Sequence, residues 1–123
     1  EQYQAFNTQR MQIMISDTAW RDKLLSALTP LPRKGIARLI AQMTASDLRP
    51  DLARIRASTL VLASSRMAAR FGQTPDSLMS RLKRQYSGLE TCSIHTTDQA
   101  GHFLMLEAPI WVQQEIHAFL ETI

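Results

Sequence analysis

The order of apolar patterns in the second half of the chain constrains the fold more than any other feature. Thr59 to Ala63 form a short, continuous apolar run without alternation, which is typical of a strand buried on both faces of a parallel sheet. A helical pattern follows Thr74, residues 89 to 95 have the composition of a second strand, and Pro109 begins a last helix. This strand–helix–strand–helix order predicts an α/β fold whose parallel strands are joined by a right-handed crossover.

Two strands are too few for a stable sheet. Each would expose an unpaired backbone edge, and the sheet would expose apolar surface. We therefore expect further strands, supplied either by a longer polypeptide or by a partner chain. The sequence opens on Glu1 and not on Met, which is consistent with a processed or truncated chain.

Residues 1–46 have the pattern of three helices. One apolar cluster, around Met11 and Met14, ends near Asp17, which offers a capping oxygen, and a second series begins at Trp20. A third series includes Met43. These apolar stripes could line a substrate pocket, although the packed face of a helix is the more common explanation.

Composition and charge exclude several classes of function. The formal charge of +3 is small and scattered, and no aromatic residues lie between the short basic clusters, so nucleic-acid binding is disfavoured. The single cysteine, Cys92, cannot form an internal disulfide, and no Cys/His pair has metal-ligand spacing. No apolar run is long enough for a membrane span. We expect a soluble chain without metal or cofactor, while the cytoplasm and the periplasm both remain open as its location.

The segment with most chemical information is Asp98-Gln99-Ala100-Gly101-His102-Phe103, a glycine-containing loop between the second strand and the last helix. Three further pieces accompany it: the run from Asp47 to Leu52, the strand Thr59 to Leu62, and Glu107-x-Pro109. The ordered set resembles the carboxyl-terminal part of α/β hydrolases of the esterase, peptidase and C–C hydrolase type. By this resemblance, residues 47–123 are the end of the hydrolase core and residues 1–46 are a helical cap, or lid.

The resemblance implies that His102 is the general base, because a serine hydroxyl is a poor nucleophile until an imidazole accepts its proton. The alternative is a histidine that only forms hydrogen bonds within the loop and has no catalytic role. His95 and His117 have no comparable setting. Phe103, together with Trp20 and Met14 of the cap, is a candidate for contact with the substrate.

The sequence departs from the hydrolase pattern in two places. No Gly-x-Ser-x-Gly nucleophile turn is present in the 123 residues. After the first strand, Ser64 stands where the pattern expects a glycine, and Met67 stands where it expects the carboxylate that orients the histidine. Asp98 and Asp76 are explained by loop bracing and by a helix start, so neither is assigned as the acid. Some bacterial members that lack the usual acid share the Phe71-Gly72-x-Thr74-Pro75 and Gln85-Tyr86 elements found here.

Two functions follow as hypotheses. The first is a part of a serine-type hydrolase that cleaves an ester, amide or related bond of a small, partly apolar molecule. Its nucleophile would lie on other sequence, so this chain alone should be inactive. The second is a non-catalytic interaction module derived from a hydrolase fragment. Its partner would be the remainder of the hydrolase core or a second copy of the chain.

Overall fold

A computed structural model describes residues 2–28 and 32–123 of the protein. The helices of the first half are α1 (Gln2–Met14), α2 (Thr18–Leu28), α3 (Arg33–Ala45) and a 3₁₀ helix (Arg49–Arg54). The second half contains β1 (Thr59–Ser64), α4 (Ser65–Ala69), α5 (Pro75–Gln85), β2 (Cys92–Thr97), α6 (Leu104–Glu107) and α7 (Pro109–Leu120). The predicted helical first half and the predicted strand–helix–strand–helix order are both present, and the chain belongs to the mixed α/β class.

The two strands pair in parallel, with Thr59 opposite Cys92 and Ser64 opposite Thr97. The expected range of β1 is confirmed, but the prediction that β2 begins at Leu89 is wrong. Leu89 instead donates a turn hydrogen bond to the carbonyl of Tyr86 (3.0 Å), so the chain leaving α5 is still turning there. Pairing with β1 decides where β2 starts and ends, and strand propensity alone does not reveal that register.

Helices lie on both faces of the sheet. Because side chains alternate between the faces of a strand, Ala63 and Ile94 share one face. On that face they pack against a buried cluster from α4 and α5, formed by Ala68, Leu78 and Leu82. The opposite face carries His95, which contacts Glu115 of α7. Helix–sheet–helix layering is the arrangement that parallel strands require.

Much apolar surface is left uncovered. The apolar side chains of α7 are only partly buried, because Ile116 is 44% and Leu120 is 58% exposed. Ile123 lies beyond the end of that helix. In residues 2–28 and 32–123 the sheet has two strands, so both of its outer edges lack a strand partner. No helix in these same residues has the length and apolar character to cross a membrane.

Candidate active site

The loop that carries His102 is attached to the carboxyl end of β1. The Ser64 hydroxyl donates a hydrogen bond to the carbonyl of Ala100 (2.6 Å). Arg66, in the first turn of α4, donates through Nη1 to the carbonyl of Gln99 (3.2 Å). Within the loop, the Gln99 amide donates to Oγ1 of Thr97 (3.2 Å). These bonds hold the loop beside the ends of both parallel strands.

Gly101 allows the loop to lie directly on the corner between α1 and α2. A Cβ atom at this position would be 2.4 Å from the carbonyl oxygen of Met14 and 2.8 Å from a carboxylate oxygen of Glu107. The next residue, His102, donates its backbone N–H to the same Met14 carbonyl (2.7 Å). The glycine beside the histidine is therefore required by the close approach of two backbone segments.

One carboxylate joins this corner to the loop. Glu107 accepts hydrogen bonds from the amides of Gly101 (2.7 Å), Ser16 (2.7 Å) and Asp17 (3.3 Å), and from the Ser16 hydroxyl. We call these groups the Glu107 network. Burial is the largest single influence on this group and opposes its ionisation. The hydrogen bonds from Ser16, Gly101 and Asp17 together outweigh burial and lower the pKa of Glu107. Arg66 extends the network by donating to the Ser16 hydroxyl oxygen (3.1 Å).

A cavity of about 470 Å³ opens at the carboxyl ends of the strands. Most of its walls are apolar, and its lining residues are Leu62, Ala63, Ser64, Met67, Ala68, Phe71, Gln73, Leu78, Arg81, Leu82, His102 and Leu104. Ligands of open α/β sheets bind outside the carboxyl ends of the strands. This cavity is therefore the best candidate for a functional site, and we call it the His102 cavity.

The imidazole of His102 has no carboxylate partner among the residues that the structure describes. Its ring lies edge-on to Phe103, with ring centroids 5.1 Å apart. No Asp or Glu is among the described residues lining the cavity. Met67, the residue at the position expected for the acid, lines the same cavity as His102. The loop bracing expected of Asp98 comes instead from Ser64 and Thr97.

The only Ser or Thr among the described residues lining the cavity is Ser64, and its hydroxyl already takes part in two hydrogen bonds. It accepts a hydrogen bond from the amide of Met67 (2.8 Å), as the cap of α4, while it donates to Ala100. An imidazole activates a hydroxyl by accepting its proton, and this proton is already committed to a carbonyl. The geometry therefore does not favour Ser64 as a nucleophile.

The three residues expected to contact substrate lie outside the lining of the His102 cavity. Trp20 has the ammonium group of Lys23 4.7 Å from its ring centroid. Met14 contributes its backbone carbonyl to the histidine loop, and Phe103 contacts the ring of His102. Their contact with a substrate stays a prediction.

The other histidines lie close to carboxylates elsewhere. His95 Nδ1 is 2.5 Å from Glu115, and His117 Nε2 is 3.3 Å from the exposed Glu121. Cys92 is a free, half-buried thiol, and burial raises its pKa. The described residues contain no group of three or more His, Cys, Asp or Glu side chains that could hold a metal ion.

A second, larger opening lies away from His102. This groove, of about 860 Å³, runs between the end of α3, the 3₁₀ helix and the end of α5. At its wall Asp47 is 2.6 Å from Arg49, and hydrogen bonds from Arg49 lower the pKa of Asp47 to about 2. Its size alone does not make it a catalytic site, since it contains neither His102 nor a strand end.

Comparisons with known proteins do not identify a relative: no family model, curated protein or solved structure matches the chain. The assignment to the α/β hydrolases therefore stays a prediction based on the sequence elements given above.

The sequence patterns located His102 but not the residues that anchor its loop or the second residue in the cavity lining that can carry a positive charge. In the sequence, Glu107 stands out only as part of Glu107-x-Pro109, and Ser16 only as a neighbour of the capping residue Asp17. Arg81 stands out only as a member of a short basic cluster with Lys83 and Arg84, and no pattern marks Arg66. The one available signal was Gly101, because a glycine beside a functional residue often marks a close backbone approach. The partner in that approach, Met14, is remote in sequence and could not be inferred.

Proposed function

We propose that this chain is the carboxyl-terminal part of a serine-type α/β hydrolase, in which His102 is the general base. The observation that supports the proposal best is the position of His102 in a largely apolar cavity at the carboxyl ends of two parallel strands. A cavity of this size and character suits a small, partly apolar molecule.

In the proposed reaction, His102 accepts the proton of a serine hydroxyl as that oxygen attacks the carbonyl carbon of an ester or amide. The protonated imidazole then gives its proton to the leaving group, and an acyl-enzyme forms. Water then attacks the acyl-enzyme while His102 accepts a proton from it, and His102 returns that proton to the serine oxygen as the carboxylic acid is released. The serine and the amides that stabilise the oxyanion come from polypeptide outside these 123 residues.

The Glu107 network supports a positioning role for the loop. A triad carboxylate normally fixes the orientation of the imidazole, and no such group lines this cavity among the described residues. Hydrogen bonds to the backbone of Gly101 and His102 hold the loop instead. In the proposed enzyme, this anchoring supplies part of the orientation that a triad acid would supply.

A specific observation also favours the non-catalytic alternative. Large apolar side chains are exposed at several sites, with Phe71 and Ile110 each 70% exposed. Where such side chains form a continuous patch, that surface often contacts another protein. Together with the open sheet edges, they support a module that is completed by another chain, whether or not the assembly is catalytic.

The first experiment identifies what accompanies the chain. Native and then denaturing mass spectrometry of the purified protein should reveal a second polypeptide, and a fluorophosphonate probe should label a serine on that polypeptide. A single 13.9 kDa species that the probe does not label would favour the interaction module.

The second experiment tests His102 within the catalytic assembly. The His102→Ala variant should lose turnover of a p-nitrophenyl ester by about a hundredfold or more and should keep its urea midpoint. His117→Ala is the matched control, because that side chain is 79% exposed and lies on α7. Unchanged turnover in His102→Ala would refute the assignment.

A further inference from the structure

The His102 cavity has an uneven distribution of charge. Of the twelve described residues that line it, only Arg81 and His102 can carry a charge, and both charges are positive. The remaining walls are apolar or neutral. An anionic group on a ligand would therefore meet no repulsive carboxylate within this lining.

Arg81 is held at the cavity by the core itself. It lies on α5 next to Leu82 and one helical turn after Leu78, which are 6% and 2% exposed. These two buried side chains fix the face of α5 that packs on the sheet, so the backbone position of Arg81 is well determined. Its side chain is exposed and lines both the cavity and the adjoining groove.

No carboxylate in the part of the chain that the structure describes neutralises the guanidinium group of Arg81. Among the described residues it forms no ion pair and no hydrogen bond, whereas Arg49, Arg54 and Arg56 each pair with a carboxylate. A guanidinium presents donors in a planar fork that matches a carboxylate. The charge is thus available to a ligand whose apolar part occupies the cavity.

From these observations we infer that the His102 cavity binds a small molecule with an apolar body and a carboxylate, and that Arg81 is the residue that selects the carboxylate. The apolar body contacts Met67, Leu62 and Leu104, and the carboxylate points toward the end of the cavity formed by α5. The claim that this ligand is a substrate rests on the proposed hydrolase function. The claim that the ligand binds in the cavity does not rest on it.

The inference can be tested with three probes of one chain length: hexanoate, hexanol and hexylammonium. Binding is followed by chemical-shift changes in ¹H–¹⁵N and methyl NMR spectra of the full chain. Hexanoate should bind at least fivefold more tightly than hexanol, hexylammonium should bind more weakly than either, and the shifts should map to Leu62, Met67 and Leu104. The preference for hexanoate should decrease as salt is added.

Arg81→Gln should reduce the preference for hexanoate over hexanol to about one, while Arg84→Gln should retain it. Arg84 is a suitable control because it lies on the same helix and lines the groove but not the cavity. Equal binding of hexanoate and hexanol by the unaltered protein would overturn the inference. If the preference is lost in Arg84→Gln alone and chemical shifts change at Leu48, the anion binds in the groove and not in the cavity. That result would also overturn the inference.

These outcomes are separate from the test of catalysis. If hexanoate binds through Arg81 but His102→Ala retains turnover, the hydrolase mechanism fails and the carboxylate site stands. If His102→Ala loses turnover and hexanoate shows no preference, the mechanism stands and the carboxylate site fails.

Discussion

Replacing Glu107 by alanine removes the group that joins the His102 loop to the corner between α1 and α2. The carboxylate accepts hydrogen bonds from the amides of Gly101, Ser16 and Asp17 and from the Ser16 hydroxyl. In the variant, the partly buried Gly101 amide loses its acceptor, which costs about 1–2 kcal/mol. The exposed donors can turn to water, so each of them contributes only about 0.5 kcal/mol. We therefore expect the free energy of unfolding to fall by roughly 2.5–3.5 kcal/mol.

Urea unfolding at pH 7, followed by far-ultraviolet circular dichroism, measures this loss. Glu90→Ala is the control, because the Glu90 side chain is 70% exposed and pairs at 3.2 Å with Arg56, whose side chain is 80% exposed. Such surface pairs contribute little, so the control should change by less than about 0.5 kcal/mol. Amide hydrogen exchange adds a local measurement, since Gly101 and His102 should exchange faster in Glu107→Ala than in the control.

A loss below about 0.5 kcal/mol in Glu107→Ala, with unchanged exchange at Gly101, would contradict this reasoning. It would mean that the backbone bond from His102 to Met14 and the Ser64 bond to Ala100 hold the loop without the carboxylate. A large loss of stability without faster exchange at Gly101 would also refute the local mechanism.

Two further predictions concern the same contact. Gly101→Ala should destabilise the protein by about 2 kcal/mol or more, because its Cβ would lie 2.4 Å from the Met14 carbonyl oxygen, whereas Gly35→Ala in α3 should stabilise it by about 0.5–1 kcal/mol. Equal urea midpoints for the two variants would contradict the close approach. Because the pKa of Glu107 is lowered in the folded state, its stabilising contribution is present above the carboxyl pKa of the unfolded chain. That contribution is lost as the pH falls through the lower folded pKa. Urea midpoints measured from pH 7 to pH 3 should therefore fall less steeply in Glu107→Gln, and identical slopes would show that Glu107 does not contribute to acid unfolding.

Local patterns in the sequence predicted most of the secondary structure. Thr74 accepts a hydrogen bond from the Ser77 amide (3.2 Å) and begins α5 with Pro75, as its residue type indicates. Asp17 likewise accepts from the Trp20 amide (2.9 Å) at the start of α2. These features depend on residues three positions apart, so they can be recognised without knowledge of the fold. The start of β2 depends on a partner strand about 33 residues away, and there the prediction was wrong.

The candidate site shows the same division. The sequence by itself determined that a histidine follows β2 on a glycine-containing loop, that no Gly-x-Ser-x-Gly turn is present, and that residue 67 is a methionine. Only the tertiary structure brings Glu107 into contact with Ser16, which lies 91 positions away in the sequence. It also places Arg81 and His102 in the lining of one cavity. Caps and periodicity come from neighbours along the chain. Hydrogen bonds and charges at the site come from segments that packing brings together, and their pairing leaves no local mark in the sequence.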